Sequence, residues 1–188
     1  ADDVTITGFT LLEGDNDRII KIKDGSNNLN ITNNSLNESF RGVQGNFPGN
    51  QLDTLTIKQN TFETEYGIAG TENIENLLVT DNDFETSVEG IGLGEGVTFD
   101  QEVNSIEQIF QENNWNLQSG YAVGDYRDHA YPNQTKYISP SEILVQEGDS
   151  IQQAIDVADE GDTILVEGGI YNEAIVFDNN NLTLLGDN

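Results

Sequence analysis

The chain has 188 residues, no cysteine or methionine, and 34 acidic against 7 basic residues, for a net charge of −27. A surface this negative repels nucleic acid and anionic lipid, which excludes both as partners, and no apolar run reaches the length that spans a bilayer. With apolar residues at 35% and 19 glycines, the composition does not call for a large globular core.

In chain order, the first elements are copies of one pattern. DVTITGFTL (3–11), NLNITNNSL (28–36), TLTIKQNTF (54–62) and NLLVTDNDF (76–84) align without gaps. Leu29, Leu55 and Leu77 correspond, as do Ile31, Ile57 and Val79, and Leu36, Phe62 and Phe84. The copies recur every 22 to 26 residues, and each of the last three is followed by a glycine–aliphatic step, at Gly42-Val43, Gly67-Ile68 and Gly90-Ile91. Repeats of this length are too small to bury their own apolar face and are stable only when stacked. Alternation with a period of two inside each copy predicts short strands. An Asn follows at the same place each time, at Asn34, Asn60 and Asn82. Asn tolerates left-handed backbone angles and can bond to the turn backbone, so these residues are expected to form a structural ladder from coil to coil.

Strand, Asn turn, apolar strand and glycine–aliphatic strand, repeated over about residues 3–99, resemble the right-handed parallel β-helix of pectate-lyase-like proteins. The resemblance implies an all-β solenoid and says little about chemistry.

After Phe99 the pattern changes. QEVNSIEQIFQENN (101–114) places Val103, Ile106, Ile109 and Phe110 on one helical face, which predicts a short capping helix near 101–113. Residues 115–142 read as an aromatic-rich linker with Trp115, Tyr121, Tyr126 and Tyr131, punctuated by Pro132 and Pro140. In the remainder, Ser150 and Gln153 form a capping box, and Ile151, Ala154, Ile155 and Ala158 give a second short helix near 150–159. Ile164, Val166, Ile170, Ile175 and Phe177 then read as short strands. Residues 143–188 are similar to the way right-handed β-helix proteins begin: a capping helix, a GDTI strand, a G-x-Y-x-E turn and a first coil of the LTLLG type. Three parts are therefore expected: coils over 1–99, a capping helix and linker over 100–142, and an N-terminal-type cap with first coil over 143–188. The order is permuted, because the middle of a solenoid precedes its beginning.

That permutation carries the functional expectation. NLTLLGDN (181–188) aligns with DVTITGFT (3–10), so that Leu182 matches Val4 and Leu184 matches Ile6, with Leu185 beside them. The C-terminal segment is expected to stack on coil one of a neighbouring subunit, or of its own chain. Between subunits this is strand donation, a heterologous contact that propagates head to tail. The expected protein is an extracellular or cell-surface structural subunit that polymerises with copies of itself into a filament or adhesin. Scarce Lys and absent Cys fit an extracellular, saline setting. Sequons at Asn30, Asn33, Asn37, Asn133 and Asn181 are candidate glycosylation sites.

The alternative is a polysaccharide-binding or polysaccharide-degrading solenoid, as the resemblance implies. Lys21 and Lys23 share a strand face and Lys58 lies in a repeat, a set that would suit an anionic sugar or neutralise nearby carboxylates. YRDHAY (126–131) holds the single His beside Asp128, but no nucleophile accompanies it. The Asp-rich turns offer Asp15, Asp17, Asp81 and Asp83 as hard oxygen ligands for Ca²⁺, without EF-hand spacing. No catalytic constellation is evident, and no cofactor is required.

Overall fold

Each repeat becomes one coil, because its apolar residues alternate along strands and can be covered only by the coils above and below. A computed structural model describes residues 2–12, 17–22, 27–45, 51–100, 102, 105–125, 127, 135–178 and 181–187. The first coil holds β1 (Asp2–Thr7), β2 (Thr10–Leu12) and β3 (Arg18–Ile22). The following coils hold β4 (Asn27–Thr32) and β5 (Ser35–Gly45), then β6 (Leu52–Lys58) and β7 (Thr61–Thr71), then β8 (Ile74–Thr80), β9 (Asp83–Phe84) and β10 (Glu89–Leu93). Next come α1 (Ile106–Gln111), β11 (Asn114–Trp115) and β12 (Tyr121–Asp125). The C-terminal part holds β13 (Thr135–Ser139), β14 (Glu142–Val145), α2 (Ile151–Val157), β15 (Thr163–Val166) and β16 (Thr183–Gly186). The whole is a mostly parallel β-solenoid of about six turns.

One face is the four-stranded sheet β1-β4-β6-β8. Its register stacks Val4, Leu29, Leu55 and Leu77 in one column and Ile6, Ile31, Ile57 and Val79 in another. The long strands β5 and β7 each serve two further faces. Their first halves pair with β2 and β9, and β9 pairs with β11; their second halves pair with β3 and β10, and β10 pairs with β12. Both helices are shorter than their sequence ranges suggest, and Val103 lies outside the described residues. Trp115 and Tyr121, read from sequence as linker, sit in strands, so the coils continue past Phe99 as far as Asp125. Ile170, Ile175 and Phe177, expected in strands, are exposed and outside regular structure. Nothing among the described residues stacks on them, and an isolated strand has no ladder to join.

The second face is a column of rings. Phe62, Phe84 and Trp115 are in register, with ring centroids 4.8 and 4.7 Å apart and planes 4° and 11° from parallel. Both phenylalanines are fully buried, each contributing roughly 2–3 kcal/mol by burial and about 1 kcal/mol more by stacking. This column explains the glycine–aliphatic step. A Cβ on Gly42 would lie 2.7 Å from the Phe62 ring; one on Gly67 would lie 2.8 Å from the Phe84 ring and 2.5 Å from the Gly90 carbonyl; one on Gly90 would lie 2.5 Å from the Trp115 ring. Glycine stands where a ring of the next coil presses on the backbone.

The C-terminal part has its own core, built from Ile143, Val145, Ile164 and Val166 beneath the α2 residues Ile151, Ala154, Ile155 and Ala158. The Ser150 hydroxyl accepts from the Gln153 N–H, which is one half of the expected capping box; the Gln153 side chain makes no return bond to the Ser150 N–H among the described residues. Glu173 supplies the rest: its carboxylate accepts from the N–H groups of Ile151 and Gln152 and from the Ser150 hydroxyl. Desolvation acts against the charge, but these bonds outweigh it and hold the carboxyl below its ordinary range. The part is attached by two reversals, β12 to β13 and β13 to β14, both antiparallel, after which β14, β15 and β16 run parallel. It does not return to coil one of its own chain. The twelve-stranded sheet is branched: β2 and β3 are its edges in coil one, β11 ends the second face, and β16 ends the continuation of the third.

Two glycine substitutions separate close approach from loss of flexibility. Gly67→Ala should cost about 3 kcal/mol, because the obstructing atoms include backbone, whereas Gly186→Ala, which meets nothing within 4 Å, should change stability by about 0.5 kcal/mol or less. Urea unfolding midpoints read both; equal effects would remove the packing explanation.

Candidate functional site

The Asn residues sit at the corner between the first two faces. The Asn34 Oδ1 accepts from the Phe9 N–H at 3.1 Å, and each later ladder Asn receives, on its Oδ1, both the backbone N–H and the side-chain Nδ2 of the Asn one coil earlier: Asn34 onto Asn60 at 3.0 and 3.0 Å, and Asn60 onto Asn82 at 2.9 and 3.0 Å. The ladder runs one rung beyond the expected three, with Asn82 donating to Asn113 at 3.1 and 3.0 Å. The Nδ2 groups of Asn60 and Asn82 also donate to backbone carbonyls, those of Ile31 and Lys58 and of Ile57 and Thr80. With their capacity spent inside the corner and their side chains buried, they have little left for a ligand. The left-handed angles fall one residue earlier, on Asn33, Gln59 and Asp81 at φ 57°, 57° and 56°. The signal for the missed rung is Asn113 two residues before Trp115, matching Asn60 before Phe62 and Asn82 before Phe84.

Of the Ca²⁺ candidates, the described Asp17, Asp81 and Asp83 do not converge. Asp17 pairs with Arg41 at 2.9 Å and Arg18 at 3.4 Å, Asp81 pairs with Lys58 at 3.3 Å, and Asp83 accepts from Asn114 at 2.7 Å. Among the described residues no three Asp, Glu, His or Cys side chains gather to hold a metal, and Asp15 lies outside them. The cations are likewise spread. Arg127 pairs with Asp125 at 2.6 Å and Lys136 with Asp149 at 2.8 Å, leaving Lys21, exposed on β3, without an ion pair among the described residues. Lys23, Tyr126, Asp128, His129, Tyr131 and Asn133 lie outside the described residues. Of the other sequons, Asn33 and Asn181 are exposed, while Asn30 and Asn37 are half-buried in strands.

A groove of about 530 Å³ follows the bend between the second and third faces. Glu38, Glu63, Glu65 and Glu85 line it, with Phe40 and Gln118. Four carboxylates and no lining cation make it repellent to an anionic sugar, and Phe40 lies beneath the Arg41 guanidinium, 4.3 Å from the ring centroid.

One buried group had no sequence signal. Glu89 sits on β10, in register with Tyr66 and Tyr121, and its carboxylate occupies the room left by Gly92, where a Cβ would lie 2.8 Å from Oε1. That oxygen has no hydrogen-bond partner among the described residues. Burial pushes the carboxyl up to about 8, with the Lys136 ammonium offsetting only part of the effect. Lys136 itself is held by Gln146 at 2.9 Å and Asp149 at 2.8 Å.

The two ends of the run from β3 to β16 in the twelve-stranded sheet are the remaining feature. A column of register partners crosses it: Ile20, Val43, Ile68, Ile91, Val123, Tyr137, Ile143, Ile164 and Leu184. Within it Val43, Ile68, Ile91, Val123 and Ile164 are fully buried, yet Leu184 is 37% exposed and its neighbour Leu185 50%. Among the described residues β16 pairs with β15 alone, and β1 with β4 alone. Phe9 and Leu12 are exposed at the coil-one end, and Val176 and Phe177 near the other. Val4 and Ile6 are half-buried. No helix is long and apolar enough to cross a membrane among the described residues. The chain matches no protein-family model, no curated protein and no solved structure.

Glu89 generates a pH prediction. Its folded value lies above its ordinary 4.5, so the native state holds the proton more tightly, and the stability this gives is present below about pH 4.5 and lost as pH rises toward 8. The difference in unfolding free energy between the unaltered chain and Glu89→Gln should therefore shift by on the order of 4 kcal/mol from pH 5 to 8, in favour of the variant at the higher pH. Parallel stability curves would show that the carboxyl is not desolvated.

Proposed function

We propose that the protein is a structural solenoid subunit that assembles end to end with copies of itself, the β16 edge of one copy meeting the first coil of the next. The observation that carries this reading is the open edge at β16, where a column buried through the sheet ends on an exposed leucine. An unpaired parallel edge with apolar side chains is a template for strand addition. Among the described residues β1, β2 and β3 pair on one side only, so the proposed contact would join unlike surfaces and propagate. The proposed setting is the cell surface or extracellular medium at high salt, where the Debye length shrinks to about 3 Å at 1 M and copies of charge −27 cease to repel. Kinship with pectate-lyase-like solenoids is proposed at the level of architecture. The acidic groove gives less support to a polysaccharide enzyme, since a uronate would meet four carboxylates there.

The test is negative-stain electron microscopy in molar salt. The unaltered chain should form filaments, and Leu184→Lys with Leu185→Lys should give single particles of unchanged circular dichroism. Single particles from both proteins would overturn the reading.

A further inference from the structure

The docking strand on the neighbouring copy has two candidates in coil one. The sequence match between 181–188 and 3–10 points to β1, with Leu184 opposite Ile6. The sheet points elsewhere. β16 and β3 are opposite edges of the same sheet, whereas β1 belongs to the other sheet. The path from β3 through β5, β7, β10 and β12 is parallel, β13 reverses it, β14 restores it, and β15 and β16 follow. β16 therefore runs in the direction of β3. Register partners on neighbouring strands point to the same side of a sheet, so Leu184 and Ile20, the two ends of the column, share the core side.

Charge favours the same match. Lys21 is exposed on β3 and unpaired among the described residues, and Asp187, just past β16, also has no cation partner there. With Leu184 opposite Ile20, Lys21 falls opposite Leu185, and Asp187 lies two residues further along the same outer face. At about 4.8 Å between strands and about 3.3 Å per residue, the two Cα atoms would be about 8 Å apart, within reach of a lysine stem. Lys21 and Asp187 are of opposite charge, and each is without an ion partner among the described residues, so the register brings complementary groups onto one face.

We infer that β16 docks on the free edge of β3 in a second copy of this chain, Leu184 opposite Ile20, so that the twelve-stranded sheet continues without changing face. The inference rests on the end-to-end reading and names its junction. Placing β16 on β1 would instead move each successive copy round by one face of the solenoid.

The chain has no cysteine, so paired substitutions report the junction directly. Ile19→Cys with Thr183→Cys places two thiols opposite each other on the outer face in the proposed register, and Thr5→Cys with Thr183→Cys does so for docking on β1. Oxidation in molar salt should convert the first variant into a ladder of covalent multimers and leave the second monomeric on a denaturing gel. A ladder from the second variant alone would overturn the β3 junction while keeping end-to-end assembly. Filaments that give a ladder from neither variant would also overturn the junction, and absence of filaments from the unaltered chain would overturn it together with the reading on which it rests. At the lowest salt at which the unaltered chain assembles, Lys21→Glu should weaken assembly about fivefold, as expected for one exposed ion pair, and Asp187→Lys in the same chain should restore it. Weakening without restoration would remove the Lys21–Asp187 contact from the proposal.

Discussion

Stacking in register imposes one rule on this molecule: whatever side chain occupies a position in one coil must tolerate its equivalent about 4.8 Å above and below. Most side chains fail that test in a buried corner. A charge would meet its own kind, and an unpartnered polar group would lose its water. Asparagine passes, because its amide carries both donor and acceptor, so each rung gives to the next and receives from the last. Planar rings pass as well, since parallel planes at strand spacing are in van der Waals contact. The glycines are the corollary. Where a ring of the next coil leans over the backbone, a side chain has no space. Asn ladder, ring stack and glycine column are three answers to one geometric demand.

The same rule sets what could be read from the sequence. Leu29, Leu55 and Leu77, with their aligned Asn and aromatic partners, were legible because stacking forces like residues into like places, and gapless repetition is its trace. Asn113 was missed because α1 interrupts the first face just before it, so its repeat lacks the preceding strand and begins at the Asn. Coil five reads as linker for a related reason: Tyr121 to Asp125 carry the pattern of a strand, but Ala122 stands where coils two to four have Gly42, Gly67 and Gly90. That change is intelligible in the structure, since β12 is followed by β13 and by no further ring column. Ile170, Ile175 and Phe177 show the opposite error. Their alternation is strand-like, but no strand among the described residues pairs with them.

Of the candidate sites, the Asp turns were legible only as composition. Asp17, Asp81 and Asp83 each meet a cation or an amide, which is what a surface with few bases and many acids does with its bases. Glu89 left no trace at all. Its environment is made by Gly92 on its own strand and by burial that arises only when the strands are assembled, and no local spacing encodes that. Lys136 and Asp149 are thirteen residues apart in sequence and meet across a turn, so their pairing belongs to the fold and not to a motif.

The inserted strand β13 bears most directly on how the ends relate. A solenoid whose cap-like unit follows its coils needs a connection, and one antiparallel strand would have left β14 to β16 running against the rest of the sheet. Here β13 reverses the direction and β14 reverses it again, so the sheet ends running the way it began. The core side is preserved too, because Val123, Tyr137 and Ile143 are direct register partners and Tyr137 touches both cores. A single reversal would force the junction between copies to switch from evenly slanted hydrogen bonds to alternating close and wide pairs. Two reversals let the same parallel ladder cross the proposed boundary with the same face inward. The proposed head-to-tail stack requires β16 to run in the direction of β3, and β13 is the element that restores that direction.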